Sequence, residues 1–111
     1  MSNTNGITYP MGKKVIIRAS DSGVHYGTLV GMDTNQPNMT VQLKDSRRLW
    51  RWSVAGEGIS LTEVSITGIN QAESRITAVL PDLVVSDVCE IIPAMEMAIA
   101  TIESAPVSKA E

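Results

Sequence analysis

A chain of 111 residues suits one compact domain, because a second independent core would be too small to hold. A net charge of −3 argues against the broad basic face with which proteins track a long nucleic acid, and 43% hydrophobic residues with 19% charged is an ordinary globular balance. The single cysteine, Cys89, excludes an internal disulfide and a cysteine-rich zinc site, and no apolar run reaches the roughly 20 residues of a membrane span.

Aromatic residues make up only 4% of the chain, with two Trp, two Tyr and no Phe, so the core must be built from Ile, Val, Leu and Met. Residues 1–11, polar and rich in Asn, Thr and Gly, are expected to form a flexible arm without the basic and apolar regions of a signal peptide. The cytoplasm is the compartment this predicts. Residues 12–103 are expected to form a single ligand-binding domain, and residues 104–111 a fraying tail.

Lys13 to Ala19 reads as a strand centred on the β-branched run Val15-Ile16-Ile17, and Asp21-Ser22-Gly23 as a turn. Val24 to Met32 reads as a second strand, its glycines marking a bulge or close backbone approach. Asp33 to Asn38 is a loop, after which Met39, Val41 and Leu43 alternate with polar residues in a half-buried third strand. Three such strands in succession predict an antiparallel meander.

The parity changes at Asp45-Ser46, since apolar residues before it fall at odd positions and the tryptophans after it at even ones. A turn or bulge there, or a following strand with two occupied faces, would produce that change. Either way Arg47, Leu49 and Arg51 are expected on one side, with Arg48, Trp50 and Trp52 on the other. Ser60-Leu61-Thr62-Glu63 has the form of a capping box, flanked by Ile59 and Val64 as a hydrophobic staple, and predicts a helix from Leu61 to Thr67 closed by Gly68.

Arg75 to Leu80 and Leu83 to Ile92 read as two further strands separated near Pro81-Asp82. Pro93 suits the first turn of a last helix with Met95, Ala98, Ile99 and Ile102 as its apolar stripe. The sum is an α+β fold: a mostly antiparallel β-sheet or partly open barrel with two short helices.

No catalytic constellation is visible, and a non-enzymatic binding protein without a cofactor is expected. His25 is the only histidine and is distant in sequence from Cys89; as a strand residue it is expected simply to occupy a sheet face. The acidic residues show no metal-ligand spacing. The segment Arg47-Arg48-Leu49-Trp50-Arg51-Trp52 stands apart. Arg grips phosphate with a planar fork, and Trp offers a stacking surface for a base. The same residues also serve as core or subunit-interface anchors, and residue types alone leave that alternative open.

Lys14-Val15-Ile16-Ile17-Arg18, Gly23-Val24, Gly27 and Leu29, the block Arg47-Arg48-Leu49-Trp50-Arg51-Trp52-Ser53 and Glu90-Ile91-Ile92-Pro93 together resemble a family of small phage and prophage proteins. That family is similar to the first-described Thoeris anti-defence proteins, and the likeness runs from about Lys13 to Ile102. The resemblance implies an oligomeric sponge acting in the bacterial host cytoplasm. Its ligand would be glycocyclic ADP-ribose, with cyclic oligonucleotides as further cargo. The residues it points to are Arg48 and Arg51 for phosphate, Trp50 or Trp52 for stacking or interface, and Arg75 as an additional contact, with Arg47 in the same block. Where relatives carry Tyr between the tryptophans this chain has Arg51, and where they carry an aromatic after the basic residue near Arg75 it has Ile76. The basic residue common before the Gly-Val turn is replaced by Asp21-Ser22. The competing readings are a phage structural or protein-interaction module, and a single-strand nucleic-acid binder, against which the net charge counts.

Overall fold

The run Val15-Ile16-Ile17 lies fully buried in a strand with neighbours on both sides, where β-branched side chains fit the pleat best. The computed structural model describes residues 3–4, 6–35 and 38–109. Met1, Ser2 and Asn5 of the predicted arm, Gln36 and Pro37 of the predicted loop, and Ala110 and Glu111 of the predicted tail lie outside them.

In chain order the strands are β1 (Asn3–Thr4), β2 (Ile7–Thr8), β3 (Lys14–Ala19), β4 (Gly23–Asp33), β5 (Met39–Arg51), β6 (Arg75–Ile76) and β7 (Leu80–Pro93). The helices are α1 (Leu61–Thr67) and α2 (Glu96–Glu103), with a 3-10 turn at Gln71–Glu73. The small pair β1–β2 stands apart from a five-stranded antiparallel sheet ordered β4-β3-β7-β5-β6. Strand β4 also pairs with β5, so the sheet curls and partly closes on itself. The fold is α+β.

Curling gives the sheet two apolar faces, and alternation divides the residues between them. Val15, Ile17, Leu29, Val41, Leu43 and Val85 pack together inside the curl. Ile16, Tyr26 and Leu49 point the other way and pack against Leu61 and Val64 of α1 and Ile102 of α2. The Tyr26 hydroxyl donates to Glu103 Oε2 at 2.6 Å, and Lys14 Nζ lies 3.2 Å from the same oxygen, tying α2 to the sheet. Burial, and then the Glu103 carboxylate, push the Tyr26 hydroxyl pKa well above its ordinary value.

Helix α1 has the predicted bounds, and its capping box forms: Thr62 N donates to Ser60 Oγ at 3.2 Å and Ser60 N to Glu63 Oε1 at 3.0 Å. The staple does not form, because Ile59 is 94% exposed. Gly68 ends the helix at φ 92°, and a Cβ there would run into the Thr101 side chain of α2. Glycine therefore permits both the turn and the close approach of the helices.

Several boundaries differ from the sequence expectation: β6 covers only Arg75–Ile76 of the strand expected to reach Leu80, and Ile7–Thr8 of the expected loose arm pair with Asn3–Thr4. Strand β7 runs unbroken through Pro81-Asp82, because Leu80 pairs with Ser46 and Asp82 with Lys44. Its other neighbour, β3, pairs only with the Val88–Pro93 end, so Pro81 sits on an open edge where a missing N–H is tolerated. Pro93 does not enter a helix; it pairs with Val15, and α2 starts at Glu96. Lastly, the segment after Ser104 does not fray through its described part. Ala105 is buried, Ser108 N donates to Ile76 O at 2.9 Å, and Ile76 N donates to Ser108 Oγ at 2.9 Å.

Candidate functional site

The Arg–Trp segment is distributed by two bulges in β5. At the first, Tyr26 and Thr28 of β4 face Arg47 and Lys44, so β5 carries one extra residue, and Asp45 takes φ 51° to accommodate it. This is the discontinuity that the parity change at Asp45-Ser46 predicts. Gly27 lies opposite, where a Cβ would sit 3.1 Å from Lys44 O and 3.2 Å from Leu43 Cβ. At the second, Leu49 and Arg51 face Ile76 and Arg75, again with one extra residue on β5, at Trp50.

The first bulge turns Arg47 inward with Leu49. Arg47 is only 4% exposed; its Nε donates to Thr77 O at 2.8 Å, and its Nη1 to Ile102 O at 2.9 Å and Ala105 O at 2.7 Å. Burial lowers its pKa from the ordinary guanidinium value. The structure thus removes Arg47 from the ligand-binding set and makes it a staple joining β5 to the end of α2. Two of the carbonyls it satisfies belong to the helix end and the turn after it, where acceptors lack intrahelical donors.

Arg48 and Trp50 take the opposite face. Trp50 is 74% exposed, the largest outlay of aromatic surface in a chain with few rings. The second bulge then separates Trp52 from Trp50, a departure from the expected shared side. Trp52 is half-buried and packs on the cluster containing Leu49, Leu61 and Ile69. It also borders a shallow hollow of about 380 Å³ together with Arg18, Glu90 and the start of α1. Arg51 is exposed and is the cross-strand partner of Arg75, whose Nη1 donates to Lys109 O at 2.6 Å. The structure therefore pairs Arg51 with Arg75 across strands and leaves Arg48 two positions before Trp50 on β5, but does not join all six residues in one pocket.

Sequence reasoning passed over His25. It lies on a strand face as expected, but it is the register partner of Arg48, 1% exposed, with Nε2 2.9 Å from Ser22 Oγ. Its Nδ1 has no hydrogen-bond partner. Burial first, and the Arg48 guanidinium second, lower its pKa from 6.5 to about 4, so the ring is neutral at pH 7. His25, Ser46, Arg48, Thr77, Leu80 and Leu83 enclose a pocket of about 130 Å³. Being the chain's one histidine was the available signal; the pairing with Arg48 depends on a bulge that sequence does not number.

Residues 12–102 match the model of a family described as a domain of unknown function, DUF6948. The chain belongs to that family. No curated protein and no solved structure matches the chain. The matched span takes in every strand of the main sheet, α1, all of α2 but its last residue, and the whole Arg–Trp segment. Among the described residues, no group of three or more His, Cys, Asp or Glu is gathered as a metal site, and no helix is long and apolar enough to cross a membrane.

Proposed function

We propose that this protein binds and sequesters a small anionic signalling nucleotide of the glycocyclic ADP-ribose class without transforming it. The observation that carries the reading is the exposed Trp50 ring on the Arg48 face, close along β5 to the Arg51–Arg75 pair. A nucleotide offers a base to stack and a diphosphate to neutralise, and Trp with Arg supplies both kinds of contact. The resemblance to phage anti-defence proteins supports the same ligand class and a role against bacterial Thoeris defence in the host cytoplasm. Cyclic oligonucleotides, the messengers of CBASS defence, are a second cargo of the same chemistry. A sponge needs tight binding and no turnover.

The test is capture and release. Purified protein is incubated with glycocyclic ADP-ribose, the unbound fraction is removed by filtration, and the protein is then denatured by heat. Chromatography should show the messenger missing from the filtrate and returned unaltered after heating. Messenger that stays in the filtrate, or returns as a different compound, refutes sequestration.

A second reading has its own observation. Val79, Leu80 and Val84 are exposed by 54%, 48% and 64%, and Leu80 and Val84 lie on the part of β7 that β3 leaves unpaired. Exposed apolar side chains along an open edge favour self-association or docking of another protein. A homo-oligomer reconciles the two readings, with Trp50 serving ligand or neighbour. Native mass spectrometry separates them: nucleotide carried by an oligomer supports the sponge, and an oligomer that stays bare when glycocyclic ADP-ribose is added supports the interaction module.

A further inference from the structure

The pocket bordered by His25 and Arg48 lies at the last register pair of β4 and β5, just beyond the first bulge. Leu83 packs against the cluster inside the curl and forms part of the pocket's wall, while Arg48 is half-buried at its border. Small ligands favour concave sites whose walls are already formed, and strands hold the walls of this one.

Three observations give this pocket a chemical preference. First, a polar atom buried without a partner is rare and costly, and among the described side chains His25 Nδ1 is the one so placed. Second, no carboxylate lines the pocket, whose polar side chains are His25, Ser46, Arg48 and Thr77. Third, the Thr77 hydroxyl is already engaged, donating to Ala78 O at 3.1 Å and accepting from Arg48 N at 2.9 Å. The Ser46 hydroxyl is engaged as well, donating to Leu80 O at 3.5 Å, which leaves His25 and Arg48 to face an occupant.

Ser22 decides what the ring presents. If its hydroxyl donates to Nε2, the proton resides on Nδ1, and the pocket presents an N–H and a guanidinium. Both are donors, and one carries a permanent positive charge. A cation is repelled by Arg48. A single water, whose share of the liquid is about 30 Å³, leaves most of a 130 Å³ pocket unfilled.

We propose that this pocket is a binding site for a tetrahedral oxyanion, a phosphoryl group or free phosphate, held by His25 Nδ1–H and the Arg48 guanidinium. The site goes beyond the nucleotide reading, since inorganic phosphate alone satisfies it, and it assigns His25 a role in binding rather than in proton transfer. With the pKa held near 4, the ring stays neutral across the physiological range, and the Ser22 contact bears on which nitrogen carries the proton.

Because His25 is the only histidine, its imidazole signals are unambiguous in a long-range nitrogen–proton spectrum of ¹⁵N-labelled protein. At pH 7.5 and constant ionic strength the spectrum should show the Nδ1–H tautomer. Titration with inorganic phosphate should move the Nδ1 resonance along a saturable curve. Arg48→Gln, at a half-exposed position, should keep the wild-type amide spectrum and bind phosphate at least tenfold more weakly. ADP-ribose in a parallel titration distinguishes the sources: saturation at lower concentration than phosphate identifies a nucleotide's phosphoryl group, and saturation by phosphate alone identifies the free ion. An Nε2–H tautomer, or an Nδ1 resonance that neither compound moves, overturns the proposal and leaves the pocket to water. Capture of glycocyclic ADP-ribose by a protein whose Nδ1 does not respond would uphold the nucleotide reading while refuting this site.

Discussion

Arg47 and Arg48 are adjacent in sequence and opposite in circumstance. Arg47 donates to three backbone carbonyls inside the protein, while Arg48 borders a pocket beside an exposed ring. Truncating Arg47 to Met would leave those carbonyls without their donor, at a cost of about 2–4 kcal/mol. Urea denaturation should show that loss, with ligand affinity of the folded fraction unchanged; normal stability with abolished binding would return Arg47 to the site. His25 gives a second prediction. Its folded pKa of about 4 lies below the unfolded value of 6.5, so between these values the unfolded chain binds more protons. The contribution is complete above pH 6.5 and is lost as pH falls toward 4. Each pKa unit is worth about 1.4 kcal/mol, so the loss is at most roughly 3–4 kcal/mol, less what solvent screens at the pocket mouth. Unfolding free energies at pH 7 and 4.5 should diverge for the wild type by more than for His25→Gln. Equal divergence would mean the titration belongs elsewhere. The residue types in the Arg–Trp block were legible in sequence as candidates; which arginine faces inward was not, because long-range carbonyls of Thr77, Ile102 and Ala105 select it.

At the scale of elements, local signals carried far and long-range pairing limited them. Helix α1 was legible because its box, Ser60 with Glu63, lies within one turn and closes without help from the rest of the chain. The break in parity at Asp45-Ser46 was legible too, as a discontinuity, and the bulge with Asp45 at φ 51° accounts for it. The second bulge at Trp50 left no such mark, because it is defined by the two-residue strand β6, which sequence extended to Leu80. That is why Trp52 joins the core with Leu49. The continuation of β7 through Pro81 was hidden for a similar reason: whether a proline breaks a strand depends on which side has a neighbour. Two substitutions probe the elements. Ser60→Ala should cost about 1 kcal/mol through the lost cap. Gly68→Ala should cost about 1–3 kcal/mol, since it strains a φ of 92° and drives a methyl group into Thr101. Thermal unfolding checks both, and a Gly68→Ala protein as stable as the wild type would mean that α1 and α2 move apart at little cost.

For the whole molecule, the curled sheet explains how a chain so poor in aromatics holds two cores. One is enclosed by the strands, the other lies between the sheet and the helices, and the Lys14–Glu103–Tyr26 group ties α2 to β3 and β4. The α+β class and antiparallel order were legible from alternation, whereas the pairing of β4 with β5 that closes the curl required the bulges. This scaffold leaves Trp50 and Arg48 on one accessible face, where binding in the proposed manner would occur. Calorimetric titration with glycocyclic ADP-ribose tests the central claim most directly. The account predicts saturable binding by the wild type. It also predicts affinity roughly tenfold to a hundredfold weaker for Trp50→Ala, because stacking of a base on an aromatic ring is worth about 1–3 kcal/mol. No heat of binding with the wild type, or an affinity that Trp50→Ala leaves unchanged, would contradict it.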